Sequence, residues 1–425
     1  MSTRIRTGWH RLAWLALLSA GAAAAAPLQA DAPPPEPQPL PPITLAQAFE
    51  AAWARQPETL AGPSQREAAQ QLGQAARRWS PEPPALSLNL RSDRYLGRQA
   101  GQREQELGIA VPLWLPGERQ RSQALAAAEL AAVDSRSTAA AWRLAGSLRE
   151  AWWAQQRARQ NEALAQARER SAAALARDVQ RRVAAGELAR SDAHQAEGLL
   201  AAARAEAALA QAEATQATLA LQALGVTAPP AELPEPLPAD LPPGTEPDPA
   251  HPALRELEDR RQLAERSRAL AATQGRANPE LTLSATRERG AFGEDYGRSL
   301  TLGFKLPLGN EAGQRAKLAT AGAAALEAEA QLMLERQRLA ADQAGARARL
   351  AATELALQAA EQRARLAAEA RGFIEKSFRL GESDLPTRLR VELEAFEAQR
   401  QQALARLARH QAVSTLRQAL GLLPQ

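Results

Sequence analysis

A stretch without proline, residues 118–185, reads ERQRSQALAAAELAAVDSRSTAAAWRLAGSLREAWWAQQRARQNEALAQARERSAAALARDVQRRVAA. Ala, Leu, Gln, Glu and Arg dominate it, and these residue types favour the α-helix. Its only glycine is Gly146. A helix of this length spans roughly 100 Å. Because an ordinary globular domain does not need such a helix, the stretch predicts an architecture of long paired helices.

The apolar residues of this stretch form a narrow, interrupted stripe. Leu144, Leu148 and Trp152 recur at helical spacing among alanines and charged residues. Small residues beside a narrow stripe suit close coiled-coil packing against neighbouring helices. The aromatic residues Trp142, Trp152 and Trp153 therefore predict packing between helices and not ligand binding.

The chain contains an internal duplication. Pro57 and Pro252, Pro84 and Pro279, and Gly186 and Gly381 are related by the same offset of 195 residues. Prolines and glycines this far apart do not match by chance, so the two halves are predicted to share one structure.

Proline-rich stretches divide the chain and its halves. We predict a signal peptide at 1–30, a Pro-rich leader at 31–42, a first repeat at 43–228, a Pro-rich linker at 229–252 and a second repeat at 253–425. Each repeat begins with a helix, the first one capped by Thr44 and Gln47. The first repeat continues with a β-hairpin at 85–113, a long helix at 118–185 and a return helix at 191–224; the second has a hairpin at 280–307 and helices at 313–380 and 385–421.

The N-terminus carries an export signal. Arg4, Arg6 and Arg11 precede an apolar run, with a cleavage site predicted after Ala30. An uncleaved membrane anchor is the alternative. The chain has no cysteine, which excludes disulfides, a thiolate metal site and a lipidated N-terminal cysteine. Arginine alternates with acidic residues, so the net charge of +4 indicates solvated helix faces and no nucleic-acid partner.

No constellation of residues indicates chemistry. His10, His194, His251 and His410 are scattered, and no nucleotide-binding or nucleophile motif is present. We therefore predict no catalytic residue, no cofactor and no metal site, and a protein that is not an enzyme.

The four predicted strands constrain the function. In residues 86–90 and 281–286, apolar residues alternate with polar ones, as in strands that turn one face towards the membrane. The smallest membrane barrel needs about eight strands, so one chain cannot close one. Two copies would give a barrel filled by side chains, whereas three leave a lumen. A soluble periplasmic hairpin sheet on a coiled coil is the alternative.

The sequence resembles the TolC-like outer-membrane factors of efflux and secretion systems. The resemblance covers nearly all of the mature chain. It is carried by residues 43–50 (ITLAQAFE), 278–283 (NPELTL) and 306–309 (LPLG), and by the turn segments 182–192 (RVAAGELARSD) and 378–384 (FRLGESD).

The resemblance implies a mainly α fold with a small β part. Duplicated long-helix hairpins would form a periplasmic α-barrel, and four strands per chain would build a twelve-stranded outer-membrane β-barrel in a homotrimer. It implies a passive exit duct in a Gram-negative outer membrane. The partners would be a periplasmic adaptor (membrane fusion) protein, an inner-membrane pump and outer-membrane lipid. The alternative is a periplasmic adaptor or scaffold protein without a barrel.

The resemblance also implies where the adaptor docks. The turns between long and return helices would form the periplasmic tips, here Gly186 with Ser191 and Asp192, and Gly381 with Ser383 and Asp384. From the residues alone, each glycine suits a helix C-cap and each Ser/Asp the next N-cap. The family's acidic residue six places after the glycine matches Asp192, but the second turn has Thr387 behind Pro386.

Two further expectations concern the membrane and the cargo. Trp114 follows the first hairpin beside Leu113 and Leu115, so we predict that it lies at the membrane interface. The second turn, residues 380–384, favours the metal-efflux branch of the family, which works with a pump of the resistance-nodulation-division type.

Overall fold

The computed structural model describes residues 41–93, 100–231, 233–238, 246–308 and 311–425. The predicted signal peptide at 1–30 and the leader up to residue 40 lie outside the described residues, as do parts of the linker.

The described residues are mainly helical, with four antiparallel strands, which confirms the predicted fold class. The helices are α1 (Leu45–Trp53), α2 (Pro57–Arg77), α3 (Glu118–Ala184), α4 (Arg190–Ala223), α5 (Pro252–Thr273), α6 (Glu311–Arg379) and α7 (Leu385–Ala419). The strands are β1 (Ala85–Ser92), β2 (Arg103–Pro112), β3 (Glu280–Arg289) and β4 (Gly297–Lys305). Within the described residues, no helix has both the length and the apolar content of a membrane span.

The start of the first repeat differs from the single helix predicted there. Two helices, α1 and α2, are separated by a break before Pro57. Gln56 has extended backbone angles because the residue before a proline avoids the α conformation, and Pro57 then occupies the first turn of α2. The capping box at Thr44 is present: the Gln47 amide donates to Thr44 Oγ1 at 3.3 Å, and the Thr44 amide donates to Gln47 Oε1 at 2.9 Å.

The long helices α3 and α6 contain 67 and 69 residues. α3 packs along α4, and α6 packs along α7, while α5 lies against both α3 and α6. Between α3 and α4, Ala165, Ala207 and Ala210 form one buried cluster, and such small side chains allow helices to pack closely. Trp152 and Trp153 lie in a core cluster with Leu45 and Phe49 of α1.

The sheet joins the two repeats. Its strand order is β1-β2-β3-β4, so β2 of the first repeat pairs with β3 of the second. The register places Leu107 opposite Leu88 on one side and opposite Ala285 on the other, and Ala285 opposite Leu300. Apolar residues of all four strands therefore share one face.

A buried carboxylate fixes the junction between sheet and helices. Glu118, at the start of α3, accepts hydrogen bonds from the Leu115 amide (3.0 Å), Gln274 Nε2 (2.8 Å) and Asn278 Nδ2 (2.9 Å). Gln274 follows α5 and Asn278 precedes β3. The negative charge is also favoured at a helix N-terminus. One side chain thus holds both repeats where their strands leave the helices.

The linker is tied to the body of the protein. The Ile43 amide donates to the Pro229 carbonyl at 3.0 Å, and the Ala231 amide donates to the Ile43 carbonyl at 2.8 Å. The linker carboxylate of Glu235 forms buried salt bridges with Arg149 of α3 and Arg417 of α7.

Candidate adaptor-contact turns and membrane-facing sheet

The turns after α3 and α6 have the same geometry. Gly186 and Gly381 have φ of 80° and 79°, in the left-handed region that favours glycine. The Gly186 amide donates to the Val183 carbonyl (3.0 Å), and the Glu187 amide donates to the Arg182 carbonyl (2.9 Å). Equivalent bonds close the second turn, from the Gly381 amide to Phe378 (3.2 Å) and from the Glu382 amide to Ser377 (3.0 Å). This pattern is the Schellman C-cap.

The two return helices begin differently. Asp384 is the N-cap of α7, and its Oδ1 accepts from the Thr387 amide at 3.1 Å. In the first turn neither Ser191 nor Asp192 is the N-cap, which corrects the capping prediction. α4 starts one residue earlier than predicted, with Ala189 as N-cap. Asp192 is the third residue of the helix, and its Oδ2 accepts from the Ala189 amide at 3.0 Å.

The structure brings the two turns together. Leu175 and Val179 of α3, Ala196 of α4, Phe378 of α6 and Leu385 of α7 form one buried cluster beneath them. Of the predicted contact residues, Gly186, Ser191, Gly381 and Asp384 are exposed, whereas Asp192 and Ser383 are half-buried. The two turns therefore share one support and can present a joint surface.

An aromatic ring links the turns through cation–π contacts. The Phe378 ring lies 4.9 Å from the Arg182 guanidinium of α3 and 4.7 Å from the Arg388 guanidinium of α7. Asp178 pairs with Arg182 at 3.4 Å, and Glu392 pairs with Arg388 at 3.0 Å, so both arginines are held in place. The role of Phe378 was missed in the sequence, where it was only part of a motif. Its spacing from Leu385 across the turn was the available signal.

The sheet has one apolar face that is exposed in the single chain. Ten large apolar side chains lie on it, and all are more than a third exposed: Leu86, Leu88, Leu90, Leu107, Ile109, Leu281, Leu283, Leu300, Leu302 and Phe304. The opposite face carries Ser87, Asn89, Ser284 and Thr301 among its small polar residues. This alternation is typical of strands with lipid on one side and water on the other.

Aromatic residues flank the apolar face. Trp114 is half-buried just after β2, and its Nε1–H donates to the Arg78 carbonyl at 3.2 Å. Trp79, the residue after Arg78, is 63% exposed. Sequence reasoning missed it because it lies outside the predicted hairpin. At the other end of the strands, the guanidinium carbon of Arg287 lies over the Tyr296 ring, 4.0 Å from the ring centroid.

The histidines lie apart from one another. His194 is exposed near the first turn, and His251 is buried, with its ring centroid 5.0 Å from that of Trp142 and the two rings nearly perpendicular. Burial lowers the pKa of His251, opposed in part by Asp248. Among the described residues, no group of three or more histidine or acidic side chains could hold a metal ion.

Comparison with known proteins supports the same fold and family. Residues 250–422 match the family model of the outer membrane efflux proteins. That family consists of efflux proteins and not of enzymes. No curated protein sequence matches the chain significantly.

Solved structures that resemble the chain include outer-membrane proteins and outer-membrane channels. VceC of Vibrio cholerae has a TM-score of 0.69 at 20% identity, covering 89% of this chain and 96% of its own. The CmeC outer membrane channel of Campylobacter jejuni has a TM-score of 0.72 at 14% identity, covering 89% and 85%. The MtrE outer membrane channel of Neisseria gonorrhoeae has a TM-score of 0.68 at 21% identity, covering 89% of each chain. The resemblance seen in the sequence is confirmed: residues 250–422 match the model of the outer membrane efflux protein family, and the described chain has the fold of the TolC-like outer-membrane channels.

Proposed function

We propose that this chain is one of three identical subunits of an outer-membrane exit duct. The observation that carries the proposal is the open four-stranded sheet with its exposed apolar face. Open sheet edges are not tolerated in the hydrocarbon of a membrane, so β1 and β4 need partners there. In this proposal other copies of the chain supply them.

The strand directions allow ring closure. Neighbouring strands are antiparallel, so β1 and β4 at the two edges run in opposite directions. β4 of one copy can therefore pair antiparallel with β1 of the next, and repeating this contact around an axis closes a ring. Three copies give about twelve strands and an open lumen, with the apolar face towards lipid.

The helices have matching free faces. In the half of the helices that lies away from the sheet, α4 packs on α3 and α6 packs on α7. One side of α4 and one side of α6 are therefore left uncovered there. Exposed apolar residues lie on both helices, among them Leu209 and Leu219 on α4 and Leu355 and Leu366 on α6. Contacts between α6 of one copy and α4 of the next would bury this surface and continue the ring into a helical tunnel.

The turns are the proposed docking surface for a periplasmic adaptor. Gly186, Ser191 and Asp192 lie beside Gly381, Ser383 and Asp384 on a shared apolar support, at the end of the long helices away from the sheet. The adaptor would join the duct to an inner-membrane pump of the resistance-nodulation-division type. Metal cations are the proposed cargo, on the resemblance of residues 380–384 alone.

The alternative of a periplasmic adaptor or scaffold is disfavoured by the sheet. An adaptor that stays in water would expose ten large apolar side chains on one face, and soluble proteins rarely leave so large an apolar patch uncovered.

Disulfide trapping tests the ring, because the chain contains no cysteine of its own. In membranes, Asn89→Cys on β1 combined with Ser299→Cys or Thr301→Cys on β4 should give covalent trimers on non-reducing gels. The matched control is Asn89→Cys with Glu106→Cys, which are direct partners within one sheet and should give cross-linked monomers. Recovery of the protein only as soluble monomers would rule the duct out.

The cargo and the partners need a cellular test. A strain lacking the gene should become sensitive to metal salts, and a plasmid copy should restore resistance. Sensitivity confined to hydrophobic drugs would contradict the metal proposal and leave the duct intact. In the plasmid copy, Asp192→Arg combined with Ser383→Arg should abolish restoration if the turns dock the adaptor, whereas Arg66→Glu on α2, far from the turns in sequence, should not.

A further inference from the structure

Arginines continue the apolar face of the sheet towards its loop end. The register places Gln105 of β2, Arg287 of β3 and Arg298 of β4 one step beyond the apolar residues, on the same face. Arg103 of β2 and Arg289 of β3 follow one further step along. We call Arg103, Arg287, Arg289 and Arg298 the arginine row.

The described strands contribute no acidic residue to the face that carries the arginine row. None of the described strand positions on that face is Asp or Glu; Glu104, Glu106 and Glu288 lie on the opposite face. Among the described residues, no ion-pair partner is found for Arg103, Arg287 or Arg298, and all three are exposed. By contrast, Arg91 on the opposite face lies 3.8 Å from Glu104.

The cross-strand pairing makes this arrangement unfavourable without an anion. Arg103 lies directly opposite Arg289, and Arg287 lies directly opposite Arg298. Like charges directly opposite in an antiparallel pair repel each other. Tyr296 stacks on Arg287 at 4.0 Å and on Arg289 at 5.2 Å, which holds the side chains at the end of the apolar face without neutralising them. The two arginine pairs therefore create a site for negative charge.

We propose that the arginine row binds the phosphate groups of lipids in the membrane leaflet at the loop end of the sheet. The inference rests on the proposed outer-membrane location, in which the apolar face contacts the acyl chains. Lipid phosphates lie immediately beyond the acyl chains, at the level where the arginines follow the leucines. Planar guanidinium groups bind phosphate with paired hydrogen bonds. The partner is a phosphorylated lipid and not free phosphate, because the row is continuous with a hydrocarbon-facing surface.

The test uses the protein purified in a neutral detergent, with lipid A carrying two phosphates as the probe and its monophosphoryl form for comparison. Wild-type protein should bind the diphosphoryl form more tightly, and the preference should weaken with salt. Each arginine near an anionic surface contributes about fivefold, so the triple variant Arg103→Gln/Arg287→Gln/Arg298→Gln should bind roughly 100-fold more weakly. Arg289 is left unchanged because its Nε donates to the Gly101 carbonyl at 3.1 Å.

Controls separate charge from fold. Arg91→Gln removes one exposed arginine from the opposite face and should leave binding unchanged, whereas Arg298→Gln alone should lower it about fivefold. Substituting the three arginines by lysine keeps the charge but not the paired hydrogen bonds, and should restore only part of the affinity. Equal binding of both lipid forms by the wild-type protein would overturn the proposal. So would binding of inorganic phosphate as tight as that of diphosphoryl lipid A. The duct fails separately, if the wild-type protein does not fractionate with the outer membrane.

Discussion

Arg149 and Glu235 form a buried, two-pronged ion pair, with Nη2 2.7 Å from Oε1 and Nε 3.0 Å from Oε2. Arg417 Nε donates to the same Oε1 at 3.2 Å. The side chains of the three residues are 4%, 1% and 3% exposed. A linker residue is thus the counter-ion for two helices, one from each repeat.

Removing Glu235 should destabilise the protein strongly. Glu235→Gln leaves two buried guanidinium groups without a negative partner, and we expect the free energy of unfolding to fall by about 3–5 kcal/mol. Urea unfolding of the purified protein, followed by circular dichroism, measures the change. Asp134→Asn is the matched control, because Asp134 pairs with Arg66 at 2.6 Å with both side chains half exposed, and it should cost about 0–1 kcal/mol. Equal effects of the two variants would contradict the prediction.

The turn glycines should be needed for their backbone conformation and not for lack of space. A side chain at Gly186 or Gly381 would meet no neighbouring atom, but φ near 80° strains any other residue. Alanine at either position should lower the free energy of unfolding by about 1–2 kcal/mol. Gly198→Ala, in the interior of α4 with equal free space, should instead stabilise by about 0.5–1 kcal/mol. The same urea titration distinguishes the two outcomes, and a loss at Gly198 as large as at Gly186 would refute the argument.

Acid should weaken the protein partly through His251. Burial lowers the pKa of His251 below 6.5, so the folded protein keeps this ring neutral while the unfolded chain takes up a proton. Stability is therefore fully present above about pH 6.5 and falls as the pH drops through that value towards the lower folded pKa. The thermal midpoint should decrease between pH 7.5 and pH 5.5.

Variants identify the histidine responsible for this pH dependence. His251→Asn keeps a side-chain cap for the Ala253 amide and should flatten the dependence, while His194→Asn, at an exposed position, should leave it unchanged. Part of the pH dependence should remain in His251→Asn, because the pKa of His410 is also lowered. Its burial is the main cause, and the positive charges of Arg409 and Arg406 add to it. An unaltered slope in His251→Asn would assign the effect elsewhere.

Trp114 should report the membrane boundary. In a chain with its other tryptophans replaced by phenylalanine, the fluorescence of Trp114 should be quenched most by lipids brominated near the headgroup and less by lipids brominated deep in the acyl chain. A chain that keeps only Trp152, buried in the helical core, should show no quenching. Absence of quenching for Trp114 would contradict its predicted position.

Much of the fold could be predicted because local residue types mark where its helices and strands begin and end. Pro84, Pro112, Gly186 and their partners in the second half mark the ends of elements, and strict alternation marks the strands. The first turn was harder. Asp192 binds the Ala189 amide from inside the helix, so an aspartate beside a serine fits either of two capping positions one turn apart.

Other features depend on pairing between distant residues, and sequence reasoning missed them. Glu235 lies 86 positions from Arg149 and 182 from Arg417, and nothing in a proline-rich linker distinguishes a buried glutamate from a solvated one. The arginine row likewise becomes visible only once the register of β2, β3 and β4 is known. An alternating pattern predicts that a strand has two faces but not which residues stand side by side across strands.

The cluster around Glu235 also sets an order of events during maturation. Arg149 additionally donates to the Leu422 carbonyl at 3.0 Å, so this joint requires residues from the middle and from the far end of the polypeptide. A nascent chain that has emerged only as far as residue 300 holds Arg149 and Glu235 without Arg417. Contacts between segments so distant in sequence close late, because the intervening chain must first be confined. The cluster around Glu235 can therefore form completely only after the segment that carries Arg417 and Leu422 has been synthesised.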